Sequence, residues 1–86
     1  MKAKPNWYLY ILKCADDSLY TGITTDVERR IKQHTEGKGA KYTRGKVPLK
    51  LVYKKRFKNR SLASKREAAI KKLTREEKIK LIKKPL

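Results

Sequence analysis

The stretch on which the fold turns is Trp7-Tyr8-Leu9-Tyr10-Ile11-Leu12-Lys13, followed by Asp16-Asp17-Ser18 and then Leu19-Tyr20-Thr21-Gly22-Ile23-Thr24. The first run is aromatic and aliphatic up to its last residue and holds no Gly or Pro, so it reads as a strand. Asp16 to Ser18 supplies turn chemistry. Leu19 to Thr24 resumes the strand pattern, and the two runs make a hairpin with a loop of about four residues. Gly22 weakens its strand and marks a place where another group approaches closely.

Outward from the hairpin, Thr25-Asp26-Val27-Glu28 is a capping-box pattern that opens a helix with Val27, Ile31 and His34 on one face. Gly37 is placed to end it. The segment from Gly37 to Pro48 is a loop by its Gly and Pro content, long enough to suggest a functional role. Leu49 to Phe57 reads as a third strand, at an edge because Lys crowds its end. A second helix is expected from Asn59 or Ser61 to about Leu73, with Leu62, Arg66, Ile70 and Leu73 sharing a face. Thr74-Arg75-Glu76-Glu77 is a second capping box, opening a last short helix that ends near Pro85. The expected order is ββαβαα: an α+β fold, a small three-stranded antiparallel sheet flanked by helices. With 86 residues, a single domain spanning 1–86 is expected.

The chain carries 25 Lys and Arg against 8 Asp and Glu, a net charge of +17. That charge is concentrated: residues 37–86 hold nineteen basic residues and three acids, and Lys38 to Arg60 holds ten basic residues and no acid. Scattered charge usually serves solubility, which mixed signs would serve as well. A one-signed stretch points instead to a polyanion, recognised through its phosphates. Five Tyr, one Trp and one Phe argue against disorder. One cysteine, Cys14, excludes an internal disulfide and a zinc knuckle, and it suits a reducing cytoplasm as a small hydrophobe at a strand end. The longest apolar run, Trp7 to Leu12, is far short of the ~20 residues that span a bilayer, so no membrane is expected. A membrane-surface role for Thr74 to Ile82 is the weaker competitor, since that stretch has no aromatic anchor.

Familiar catalytic machinery is sparse. The glycines at 37–45 lack the order of a nucleotide P-loop, and one His with one Cys makes no transition-metal cluster. An enzyme built from this chain must work with Tyr, Arg, His and one or two carboxylates. Tyr10 and Tyr20 lie on paired strands, and Arg30 and His34 are stacked at i and i+4 on one side of the first helix. Glu67 is the only acid between Glu36 and Glu76 and sits at the border of the second helix's apolar stripe. In basic surroundings it stays ionised and suits a divalent cation. Taken singly, each of these has a plain structural reading: strand aromatics, a solvated Arg, a packing His, a Glu67–Lys71 helix pair.

Taken in order, Tyr8-Leu9-Tyr10, Tyr20-Thr21-Gly22, Arg30 eight residues after Gly22, His34, and Glu67 in a later helix resemble the GIY-YIG endonuclease domain. The resemblance covers nearly the whole chain and is nearest to small single-domain bacterial members, whose loop Gly37-Lys38-Gly39-Ala40-Lys41-Tyr42-Thr43-Arg44 also resembles. Tyr8, Leu9 and Thr21 depart from the two tripeptides, whereas Tyr10, Tyr20 and Gly22 retain them. The resemblance implies hydrolysis of phosphodiesters in DNA, with RNA as the other candidate, and a structure-specific role in repair or recombination. It makes Glu67 the ligand of one Mg²⁺ or Mn²⁺, Arg30 the phosphate clamp, and Tyr10, Tyr20 and His34 the proton-handling set. Nucleic-acid contacts are expected from Arg30, Lys38, Lys41, Arg44 and Lys46. The alternative is a non-catalytic nucleic-acid-binding module on the same fold; a third reading is a ribosome or nucleic-acid accessory whose last helix meets a partner protein.

Overall fold

The computed structural model describes residues 6–83. The elements run β1 (Trp7–Lys13), β2 (Leu19–Thr24), α1 (Val27–Thr35), a 3₁₀ turn (Lys41–Thr43), β3 (Lys50–Phe57), α2 (Arg60–Lys71) and α3 (Arg75–Lys83), the expected ββαβαα order. The sheet is antiparallel throughout with strand order β2-β1-β3. β1 is the middle strand, and this explains its uninterrupted apolar run: Leu9, Tyr10, Ile11 and Leu12 are all buried because both faces of the sheet are covered. β3 is an edge strand, as its lysines suggested, with Lys54, Lys55 and Arg56 exposed. A shift in register between Ile11 and Leu12 carries the β1–β3 pairing past Val52.

Alternation along β1 sorts its side chains between two cores. Leu9 and Ile11 meet Ile70 of α2, and half-buried Leu81 and Ile82 of α3 close over the same cluster. Tyr10 and Leu12 meet Val27 of α1, with Tyr20, Ile31 and Leu49 around them. Each fully buried aliphatic side chain contributes about 1.5–3 kcal/mol, and the first cluster holds three of them.

The helix signals are met with two corrections. The cap of α1 is Asp26, not Thr25: Thr24 Oγ1 accepts from the Asp26 N–H at 3.1 Å and sets its extended backbone, and Asp26 Oδ1 accepts from the Arg29 N–H at 3.1 Å. Gly37 ends the helix with φ +77°, a conformation that glycine adopts without strain. α2 begins at Asn59, whose Oδ1 accepts from the Leu62 N–H at 2.9 Å. Its buried face is Ala63 and Ile70, not the expected Leu62 and Arg66; Leu62 is 43% exposed and Arg66 is exposed. Ala63 is fully buried, and Leu62, one residue before it, lies on the outer side of the helix. Thr74 and Glu77 exchange the two capping-box hydrogen bonds, at 2.9 and 3.1 Å, at the start of α3. The expected end near Pro85 lies outside the described residues. Cys14 is buried just past β1.

Candidate active site

Tyr10 and Gly22 are direct partners across the β1–β2 ladder. A Cβ on residue 22 would stand 2.5 Å from Tyr10 Oη and 2.7 Å from Cζ, so the ring can lie across β2 only because glycine is there. The close approach that Gly22 signalled is made by the chain's own phenol. Tyr20, on β2, lies beside it, with ring centroids 6.3 Å apart.

His34 reaches the same place from the last turn of α1. Its Nε2 is 2.9 Å from Tyr10 Oη, and both side chains are inaccessible to solvent. The other ring nitrogen is held by the loop that follows α1: Nδ1 accepts from the Ala40 N–H at 3.3 Å and lies 2.9 Å from Thr43 Oγ1. A backbone N–H can only donate, so Nδ1 is an acceptor and the proton of the neutral imidazole sits on Nε2, directed at Tyr10 Oη. The Thr43 hydroxyl is also 3.0 Å from the Ala40 carbonyl. A Cβ on Gly39 would fall on His34 Nδ1, so this second glycine is what lets the loop close on the imidazole. Tyr20 meets His34 edge-on with centroids 5.2 Å apart, and on its outer side stacks on Tyr42 at 5.8 Å. Lys46 Nζ stands 3.8 Å above the Tyr42 ring and 3.4 Å from Asp16 Oδ2.

Burial pushes the Tyr10 phenol up to about 12, against the Arg30 guanidinium, which lowers it; Tyr20 and Glu67 add smaller upward pushes. Burial also lowers the pKa of His34, with the Arg30 charge acting in the same direction. At neutral pH the imidazole is therefore uncharged and Tyr10 keeps its proton.

Arg30 is half-buried; its Nη1 donates to Gln33 Oε1 at 3.0 Å, and it lines an open hollow of about 260 Å³ with Trp7, Asp26 and Arg29. Glu67 enters from α2, 21% exposed, with Lys71 Nζ 3.2 Å from its Oε2. Among the described residues no group of three or more His, Cys, Asp or Glu could enclose a metal. A lone, partly open carboxylate fits a cation that keeps water and phosphate oxygens as its remaining ligands, as Mg²⁺ does.

Tyr10, Tyr20 and His34 are thus in mutual contact, and Arg30 and Glu67 act electrostatically on Tyr10 from two different helices. Lys38, Lys41 and Arg44 are exposed on the loop, whereas Lys46 is already engaged by Asp16 and Tyr42. Sequence reasoning assigned no roles to Gly39, Ala40, Tyr42 and Thr43; the signals were the loop's length, its glycine density and its resemblance to the loop of the small bacterial members.

A GIY-YIG catalytic domain matches residues 6–80 of the chain. A UPF0213 protein of Clostridium perfringens is 60% identical over 75 residues, which cover 87% of this chain and 81% of that one. The solution NMR structure of a UPF0213 protein from Bacillus halodurans is 52% identical with a TM-score of 0.59, over 90% of this chain and 82% of its own. That of a protein from E. faecalis is 44% identical with a TM-score of 0.62, over 94% and 88%. Among the described residues no helix is long and apolar enough to cross a membrane.

Proposed function

The chain belongs to the GIY-YIG family, a nuclease-type catalytic family, and on that footing we propose that it is an endonuclease that hydrolyses phosphodiesters in DNA with one divalent cation. The observation that carries this reading is the buried Tyr10–His34 hydrogen bond at 2.9 Å with Arg30 and Glu67 acting on the same phenol. A guanidinium and a carboxylate thus both act on one buried phenol, the arrangement a charge-handling centre needs.

Arg30 supplies a planar, permanently charged fork for the phosphate oxygens and for the charge that grows on them in the transition state. Glu67 would hold the Mg²⁺ or Mn²⁺, which when bound polarises the phosphoryl group. Tyr10 enters the reaction protonated and, only 1% exposed, acts on the reacting groups through the Arg30 guanidinium beside it and not by holding a solvent water itself. If its proton leaves, the phenolate oxygen faces the Nε2–H of His34 and the Arg30 charge, the two groups that favour it. Tyr20 packs against both rings and keeps this constellation dry on one side. The exposed Lys38, Lys41 and Arg44 contact phosphates, and phosphate contacts read shape more than sequence, so we place the enzyme among structure-specific nucleases of repair or recombination.

The competing reading, a non-catalytic nucleic-acid-binding module, draws on one observation: Glu67 is already paired with Lys71. The two separate on labelled branched and single-stranded DNA with and without Mg²⁺. The endonuclease reading expects metal-dependent cleavage that falls at least about a hundredfold in Glu67→Ala while binding persists. Tight binding with no cleavage under any divalent metal would establish the module instead.

A further inference from the structure

We propose that the hollow at the Leu19–Thr21 end of β2 is a subsite for the strand phosphate next to the one being cut, gripped by Lys78 with Arg75 just beyond and Lys71 on its wall. This rests on the phosphodiesterase reading above and adds to it where the substrate runs.

The hollow measures about 340 Å³ and is lined by Leu19, Tyr20, Thr21, Tyr42, Lys71 and Lys78. A smaller one of about 180 Å³ shares Leu19, Tyr42 and Lys78 with it and adds Arg75. At the other end of the strand, Ile23 to Asp26 line the Arg30 hollow. Gly22, over which the Tyr10 hydroxyl stands, lies between the two. The open edge of β2 is therefore a row of hollow, reacting centre, hollow, and a strand laid along it places successive phosphates in register with the three.

Three features give the far hollow an anionic occupant. Its cations converge from two helices, α2 and α3, instead of spreading over one face. Lys71 is shared with Glu67, 3.2 Å away, but Arg75 and Lys78 make no ion pair among the described residues, and Lys78 is half-buried, where a lone ammonium costs more than at the open surface. The third is Thr21 in the hollow's lining: it is 3% exposed and its hydroxyl has no hydrogen-bond partner, leaving a donor beside the cations. Tyr42 forms a firm outer wall, fixed by Tyr20 on one side and Lys46 on the other. This path differs from the one the composition suggested, because it enlists α3 and not the loop lysines alone.

The test is binding of the full chain to a fluorescent single-stranded oligonucleotide in EDTA, where no cleavage intervenes, across a salt series. Lys78→Ala should flatten the log–log salt slope by about 0.7, the loss of one single-strand phosphate contact. Lys65→Ala, an exposed α2 cation removed with the same change in net charge, should not. Lys78→Arg should restore the slope. In oligonucleotides carrying one neutral methylphosphonate linkage, a single linkage position should abolish the difference between wild type and Lys78→Ala. Equal slopes for Lys78→Ala and Lys65→Ala, or a Lys78 effect indifferent to linkage position, would overturn the subsite and leave the Glu67-dependent cleavage untouched. Position-dependent coupling in a protein that cleaves nothing would keep the phosphate subsite and remove the nuclease reading. A matching ribo-oligonucleotide separates the two backbones: tighter binding of the deoxy strand supports a DNA path, and tighter binding of the ribo strand overturns it.

Discussion

The two faces of β1 are built from adjacent residues and do different work. Leu9 and Ile11 face a dry cluster with Ile70, closed by α2 and α3. Tyr10 shares its face with Leu12 and Val27, but its hydroxyl ends on His34, held in turn by Ala40 and Thr43. One face holds the protein together chiefly through apolar burial, with the Thr21 hydroxyl the polar exception. The other accepts buried polar atoms, each with its partner, and obtains from them a phenol whose proton is set by its surroundings. A single strand can serve both ends because alternation keeps the two sets of side chains apart.

Substitutions that strike one face only should keep the two roles separate. The largest stability effect is expected from Ile70→Ala, about 2–5 kcal/mol in denaturant unfolding, since the cavity opens in the dry cluster. In that variant the late titration of Tyr10 should persist; its disappearance would mean that the faces are coupled. Tyr10→Phe should cost less, about 1–3 kcal/mol, because it strands the buried Nε2–H of His34 without removing apolar contact. The same variant should lose the last phenol ionisation, near 12, in an absorbance titration at alkaline pH. Smallest is the pH effect of His34. Burial and Arg30 hold its folded pKa below the unfolded value of about 6.5, so the unfolded chain takes up the proton first as pH falls. Stability is then full above about pH 6.5 and declines below it; a melting temperature flat from pH 7.5 to 5.5, or the same decline in His34→Gln, would contradict the neutral imidazole.

What was legible in the sequence follows the same division. The hairpin, the charged edge strand and the helix stop at Gly37 are local matters of turn residues and apolar runs, and they came through. The buried side of α2 did not: spacing favoured Leu62, but the helix docks with Ala63 and Ile70 inward, a rotation that tertiary packing sets and local spacing does not. The capping residue of α1 slipped by one because Thr24 and Asp26 hydrogen-bond to each other before the helix begins. The site was readable as residue types and an order. Its supports were not, because Gly39, Ala40 and Thr43 acquire meaning only when the loop folds back on a ring far along the chain.

That fold-back makes the loop amide of Ala40 a reporter. Its hydrogen points at the one imidazole nitrogen that must stay bare for Tyr10 to receive the ring proton, so lifting the loop and scrambling the tautomer are one event. Deuterium uptake at this single amide should therefore track how often the centre is momentarily disarmed.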